Sequence, residues 1–228
     1  MGVAMAAACA AWRGEAFADT DARRARLAEW SRAVEAEDLG IAGGRQDHYA
    51  AAFGGALRLD FAGGADVRVT RVPLAPVTRA ALERRLVVVY TGESRISAET
   101  ITAVRDAYAA REPRVVDALA RMKAIAGEMA DAVAGGDLDA LGALLDEHWR
   151  HQRALHPAIT TARIDAVMAR GVAAGALGGK ALGASGGGCV ALLAADGREA
   201  AVRAAVAELG DVLSCAVEPD GVTGVAGA

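Results

Sequence analysis

The sequence predicts an α+β fold in two parts. Three observations carry that reading. Alternating apolar and polar residues over 56–61 and 66–72 flank Gly63-Gly64 and read as a β-hairpin. Short apolar runs at 86–90, 189–193 and 212–217 read as further strands, the first apolar on both faces and therefore central. Elsewhere apolar residues recur at helical spacing, above all after Tyr90.

Composition bounds the rest. A chain of 228 residues makes one large domain or two small ones, and 54% hydrophobic with 24% charged residues describes a globular protein. Aromatics are only 4%, so the core is built from Ala, Leu and Val. The formal net charge of −4 leaves no basic footprint, and no nucleic-acid partner is expected. Cys9, Cys189 and Cys215 are widely spaced without a CxxC pair, which argues against a disulfide framework or thiolate zinc site and for a reducing cytoplasm.

Each element follows in order. Residues 1–12 are apolar, lack the basic leader of a signal peptide and fall short of the ~20 residues of a membrane span, so they read as a helix for burial and no membrane is expected. A second helix spans 19–38, with Leu27, Trp30, Val34 and Leu39 near one face. After the Gly40–Gly44 break, 46–53 is a short helix closed by Gly54-Gly55. The hairpin comes next, expected in one sheet with the Leu86–Tyr90 strand. Val116, Leu119, Ile125, Met129 and Val133 mark a helix ended by Gly135-Gly136. Asp137 caps the next, striped by Leu138, Leu141, Leu145 and Trp149. A helix with Ile164, Val167, Met168 and Val172 leads into a glycine run, a strand from Cys189, a helix over 198–209 and a last strand over 212–217. Trp12, Trp30 and Trp149 sit at helical positions and are expected in the core.

Two segments carry chemistry. Seven of the fourteen residues from Gly175 to Gly188 are glycine, which suits either a flexible turn or a loop whose amides crowd onto an anion. It is not a Walker A loop, because Ala181 follows Lys180 and Ala174 stands where the first glycine belongs. It is not a dinucleotide fingerprint, because it leads into a strand rather than a helix. The second segment, Gly43-Gly44-Arg45-Gln46-Asp47-His48-Tyr49, places Asp47 at a helix start, as a capping carboxylate or a catalytic one.

Together these segments resemble the galactokinase, homoserine kinase, mevalonate kinase and phosphomevalonate kinase superfamily, the GHMP kinases. The nearest branch is the sugar-1-kinases of the heptose 7-phosphate kinase type. It reads roughly GGKQDQYAAAFGG where this chain has GGRQDHYAAAFGG at 43–55, and GALGGKLLGAGGGG where this chain has GALGGKALGASGGG at 175–188. Val89-Tyr90-Thr91-Gly92 with Ser94-Arg95, and Leu144 to Trp149, are also similar. The mild departures are Arg45 for Lys, His48 for Gln and Ser185 for Gly; Arg and Lys are not equivalent at a phosphate.

The resemblance implies a two-domain fold: a truncated N-terminal α/β domain over 1–92 and a ferredoxin-like α+β C-terminal domain over 93–228. It implies an ATP- and Mg²⁺-dependent kinase acting on the anomeric hydroxyl of a heptose 7-phosphate or similar sugar, with fucose, galactose or mevalonate as other acceptors. Asp47 is the implied catalytic residue, a carboxylate ionised at neutral pH that accepts the hydroxyl proton. Arg45, Gln46, Tyr49, Gly183, Gly186 and Gly187 are implied in substrate binding, and Glu35 in holding the metal, with Glu37 its rival. Arg45 is otherwise a surface arginine. Asp47 and the Gly183–Gly188 loop are expected to flank one cleft.

The family's sugar-binding strand and Ser-containing phosphate loop have no counterpart here. The chain is therefore expected to start just after that loop, and to show little ATP turnover alone. A non-catalytic remnant is the competing reading. His148, His151 and His156 are surface or pocket histidines in preference to a zinc set. Cys189, opening a buried strand, is core rather than nucleophile.

Overall fold

The computed structural model describes residues 1–15, 18–41, 43–63, 66–93 and 98–224. Ser94 and Arg95 and the second glycine of the hairpin turn lie outside them. The chain divides into two compact units, Met1–Val72 with Val217–Ala228, and Pro73–Ala216.

In the first unit, α1 spans Gly2–Trp12 and α2 spans Asp21–Ala33. Thr20 caps α2 by accepting from the Arg23 N–H at 3.2 Å. The second helix is shorter than 19–38 because its last turn widens into a π-helical turn, Val34–Asp38. Helix α3 occupies Gln46–Phe53, as its Ala-rich run between glycine breaks predicts. Strands β1 (Ala56–Phe61) and β2 (Val67–Val72) form the expected antiparallel hairpin, with Ala56 opposite Val72. Leu27, Ala28, Tyr49, Ala52, Phe53, Val3, Ala6 and Val222 make the core. Trp12 is 89% exposed, which corrects its placement in the core. Helix α1 is apolar all round, so periodicity could not say which face is buried. Val3, Ala6 and Ala10 define that face, and Trp12 falls off it.

The C-terminal segment completes this unit. The Gly55 N–H donates to the Glu218 carbonyl at 2.7 Å, and the Val222 N–H to the Ala52 carbonyl at 3.2 Å. Arg24 is buried beneath them, and its Nη1 donates to the carbonyls of Ala52 and Asp220, both at 2.6 Å.

The second unit runs α4 (Pro76–Arg85), β3 (Leu86–Tyr90), α5 (Ala98–Ala109), α6 (Pro113–Gly135), α7 (Leu138–Leu155), α8 (Ala162–Ala174), β4 (Ala176–Ala181), β5 (Cys189–Ala194), α9 (Glu199–Val206) and β6 (Asp211–Leu213). The strands form one sheet in the order β4-β5-β3-β6 with every neighbouring pair antiparallel. With helices between β3 and β4 and between β5 and β6, this is a ferredoxin-like arrangement. Gly136 in the left-handed conformation ends α6, and Asp137 caps α7 by accepting from the Ala140 N–H, as the sequence predicts.

Strand β3 is central, but not in the sheet of the hairpin. Among the described residues the hairpin pairs only with itself, whereas Val87, Val88 and Val89 are buried and need strands on both edges, which β5 and β6 supply. The glycine run is also not all loop. Its first half is strand β4, paired with β5 from Ala176↔Ala194 to Ala181↔Val190. Helix α7 presses on it so closely that a Cβ at Gly178 would stand 2.2 Å from the Gly142 carbonyl oxygen. Glycine serves there as the residue that lets a helix approach a strand. Gly178→Ala is therefore expected to cost about 2 kcal/mol by overpacking. A denaturant midpoint equal to wild type would show that the backbone yields freely.

Candidate functional site

The residues implied in chemistry fall in both units, and each unit holds its own set. In the first, α3 presents Gln46 and Asp47 to solvent in its first turn and buries His48, Tyr49, Ala52 and Phe53. Asp47 does not cap the helix; Arg45 holds that position. The carboxylate instead sits among the free N–H groups of the first turn, where the helix dipole favours a negative charge. Tyr49 stacks on Phe53 with ring centroids 5.9 Å apart, which fixes the far side of α3 in the core.

Glu29, on α2, gathers three partners that sequence reasoning missed. Arg32 Nε donates to its Oε2 and Tyr49 Oη to its Oε1, both at 2.9 Å, and Arg45 Nε lies 3.5 Å from Oε1. Arg45 is thus half-buried beside an acid rather than a loose surface arginine. Burial, with the Glu29 carboxylate adding to it, pushes the Tyr49 hydroxyl up to about 12. Tyr49 is held as a neutral donor by this part-buried contact with Glu29.

The two metal candidates differ in their partners. Arg32 Nη2 donates to Glu37 Oε1 at 2.7 Å, which engages that carboxylate. Glu35 is 41% exposed, with Oε2 3.6 Å from His48 Nε2. A Cβ at position 43 would stand 2.7 Å from Glu35 Oε1, so glycine leaves the space the carboxylate occupies. Mg²⁺ on a nucleotide is commonly held by one or two protein carboxylates besides phosphates and water, and Glu35 fits that donor set.

In the second unit the glycine loop proper is 182–188. It is tied down at both ends: the Leu182 N–H donates to the Cys189 carbonyl at 2.8 Å and the Thr91 N–H to the Gly188 carbonyl at 2.9 Å. The Gly186 N–H donates to the Ile159 carbonyl at 3.0 Å and the Gly188 N–H to the Glu93 carbonyl at 2.6 Å. Gly186 therefore shapes the loop with its amide rather than offering it to an anion, while Gly183 is exposed and Gly187 buried. Ser185 adopts φ 69°, a left-handed conformation that favours glycine. It is buried, and Gln152 Nε2 donates to its Oγ at 3.2 Å and to the Gly183 carbonyl at 3.0 Å. Gln152 was not legible as a loop support.

The three histidines of this unit do different things. His156 Nδ1 accepts from the Ala158 N–H at 3.1 Å, and His151 lies 3.9 Å from Glu147. Among the described residues no group of three His, Cys, Asp or Glu side chains is placed to hold a metal. Burial, with Lys180 and His151 nearby, pulls His148 down from the usual 6.5 to about 4. The folded protein thus holds this imidazole neutral where the unfolded chain would protonate it. Stability should fall as pH drops from about 6.5 towards 4 and level off below that. His148→Phe should flatten that part of a plot of denaturant midpoint against pH; an unchanged slope would remove His148 as its source.

Cys189 opens β5 half-buried, and burial raises its thiol. That is the opposite of nucleophile activation.

Comparison with known proteins gives a family match over part of the chain. Residues 129–228 match the family model described as GHMP kinases C terminal. The chain is 29% identical over 162 residues to a D-glycero-alpha-D-manno-heptose 7-phosphate kinase of Campylobacter jejuni, covering 71% of this chain and 47% of that protein. It is 28% identical over 164 residues to a bifunctional fucokinase/GDP-fucose pyrophosphorylase of Arabidopsis thaliana, covering 71% of this chain and 16% of that protein. The chain thus spans less than half the length of these curated relatives. Among solved structures, a D-glycero-D-manno-heptose 1-phosphate kinase from Bacteroides thetaiotaomicron superposes with TM-score 0.70 at 24% identity, over 96% of this chain and 59% of that one. A Lactococcus lactis galactokinase complexed with galactose gives 0.69 at 19% identity, over 91% and 59%. The chain has the fold of the GHMP kinases, and its residues 129–228 match the GHMP kinase C-terminal domain.

Proposed function

We propose that these residues serve an ATP-dependent sugar kinase that phosphorylates the anomeric hydroxyl of a heptose 7-phosphate or similar sugar. Residues 1–92 are the remainder of its N-terminal domain and 93–228 its C-terminal domain. The observation that supports this reading best is the setting of Asp47. It is exposed in the first turn of α3, while Tyr49 and Phe53 lock the same helix into the core and Arg45 stands beside it.

In the reaction the acceptor oxygen bonds to the γ-phosphorus of ATP, and the bond from that phosphorus to ADP breaks. The hydroxyl proton passes to the Asp47 carboxylate. Arg45, fixed by Glu29, supplies positive charge to a phosphate or sugar oxygen; Gln46 and Gly183 offer donors to the sugar, and Gly186 and Gly187 set the loop's shape. Glu35 would hold Mg²⁺, which when bound neutralises charge on the phosphate oxygens. The family's nucleotide-phosphate loop is not among these 228 residues, so the activity is proposed for a protein in which they are joined to such a loop. An acidic chain with three free cysteines, and with no described helix long and apolar enough to cross a membrane, fits a cytoplasmic enzyme of small-molecule substrates.

Sugar-dependent ADP formation tests the acceptor. Across heptose 7-phosphate, fucose, galactose and mevalonate, kcat/KM should be highest for the heptose phosphate. The likeness to a fucokinase keeps fucose as the second reading, and higher kcat/KM with fucose would install it.

A further inference from the structure

The contact between Glu35 and His48 reaches beyond these assignments. His48 is buried, and its Nδ1 lies 2.9 Å from the Oγ of Ser31, itself buried on α2. Its Nε2 faces Glu35 Oε2 at 3.6 Å, beyond hydrogen-bond length. One tautomer satisfies both contacts: Ser31 donates its hydroxyl proton to Nδ1, and the Nε2–H is turned to the carboxylate. Glu35 belongs to the π-helical turn Val34–Asp38, whose wider spacing departs from the α-helix before it. On its other side Gly43 leaves room for Oε1 where a Cβ would stand 2.7 Å away. The carboxylate is therefore bounded by a fixed imidazole on one side and a missing side chain on the other.

We propose that the Ser31–His48 pair and Gly43 hold the Glu35 carboxylate for a divalent cation, making His48 and Gly43 positioning residues for a metal ligand. This rests on the reading of Glu35 as the Mg²⁺ carboxylate. A ligating carboxylate is oriented by its neighbours, and losing a hydrogen-bonding one typically weakens metal binding by about 10- to 100-fold, which puts a contact of 3.6 Å at the low end of that range. Here the partner is a histidine; glutamine also presents a side-chain N–H, so the two should be interchangeable.

Gly43→Ala separates this role from a structural one. Position 43 is exposed and the added methyl meets only the tip of a flexible side chain, so the fold should persist while the carboxylate is pushed away. The test is binding of Mn²⁺ with ADP to the 228 residues joined to an upstream Gly- and Ser-rich phosphate loop, followed by the electron paramagnetic resonance of the free ion, with thermal melts as a check on folding. Glu35→Gln should abolish the tightest binding. His48→Ala and Gly43→Ala should each weaken it by about tenfold or more. His48→Gln should restore most of what His48→Ala loses. Loss in Glu35→Gln with binding unchanged in both His48→Ala and Gly43→Ala overturns the inference while leaving Glu35 a ligand. Binding that is the same in wild type and Glu35→Gln, including none in either, overturns the metal reading of Glu35 and the inference with it. Should His48→Ala unfold, Gly43→Ala alone decides between these outcomes.

Discussion

Asp47→Asn is expected to lower kcat for sugar phosphorylation by a factor of about 10² or more, with KM nearly unchanged, because asparagine keeps the shape of the side chain but cannot take the acceptor proton. The side chain is exposed in the first turn of α3, so packing loses nothing. The fold loses only a favourable charge at a helix N-terminus, worth about 0.3–1 kcal/mol. The melting temperature of the first unit should accordingly move little. Steady-state kinetics with the acceptor varied at saturating ATP gives both constants. An unchanged kcat would reduce Asp47 to a helix-stabilising acid.

A second large effect, on stability, is expected from Arg24, far from any proposed chemistry. Its Nη1 holds two carbonyls at 2.6 Å, and its Nε donates to Asp19 Oδ1 at 2.9 Å, from a side chain only 6% exposed. Arg24→Leu takes one of two donors from the buried Ala52 carbonyl, removes the donor of the part-buried Asp220 carbonyl and leaves the Asp19 carboxylate without its guanidinium. At about 1–3 kcal/mol for an unsatisfied buried group, with one carbonyl part-buried and the other keeping the Val222 donor, the first unit should lose about 2 kcal/mol. Amide hydrogen exchange in α2 and α3 would report it as faster exchange confined to that unit. Protection equal to wild type would mean that water reaches those carbonyls unaided.

Arg24 also shows what the sequence hides. Arg24, Leu27, Ala28 and Ser31 follow the spacing of one buried helix face, and all four are buried. The pattern was there, but its first member is an arginine among other arginines on α2, and the carbonyls that justify its burial lie 28 and 196 residues away. His48 is a similar case, since it shares the buried face of Tyr49, Ala52 and Phe53. Strand β4 was read as loop because Gly178-Gly179 looks like turn chemistry; the helix that demands small residues there is α7, and nothing local announces it. Features set by local chemistry were legible: the Asp137 cap, the Gly136 stop, the Gln46–Phe53 helix and the hairpin. Asp47, Arg45 and the glycine loop were visible because their residue order is itself the resemblance. Glu29, Ser31 and Gln152 are single polar residues on amphipathic helices, and only the packed structure singles them out.

Phosphorus NMR of the reaction tests most directly that Asp47 serves transfer from ATP to a sugar. The 228 residues, joined to an upstream Gly- and Ser-rich phosphate loop, would be incubated with ATP, Mg²⁺ and a heptose 7-phosphate. The predicted result is a new anomeric phosphate resonance that grows in step with ADP and falls to about a hundredth of its rate in Asp47→Asn. ADP without a sugar product for any acceptor, or product formed equally fast by Asp47→Asn, would contradict it.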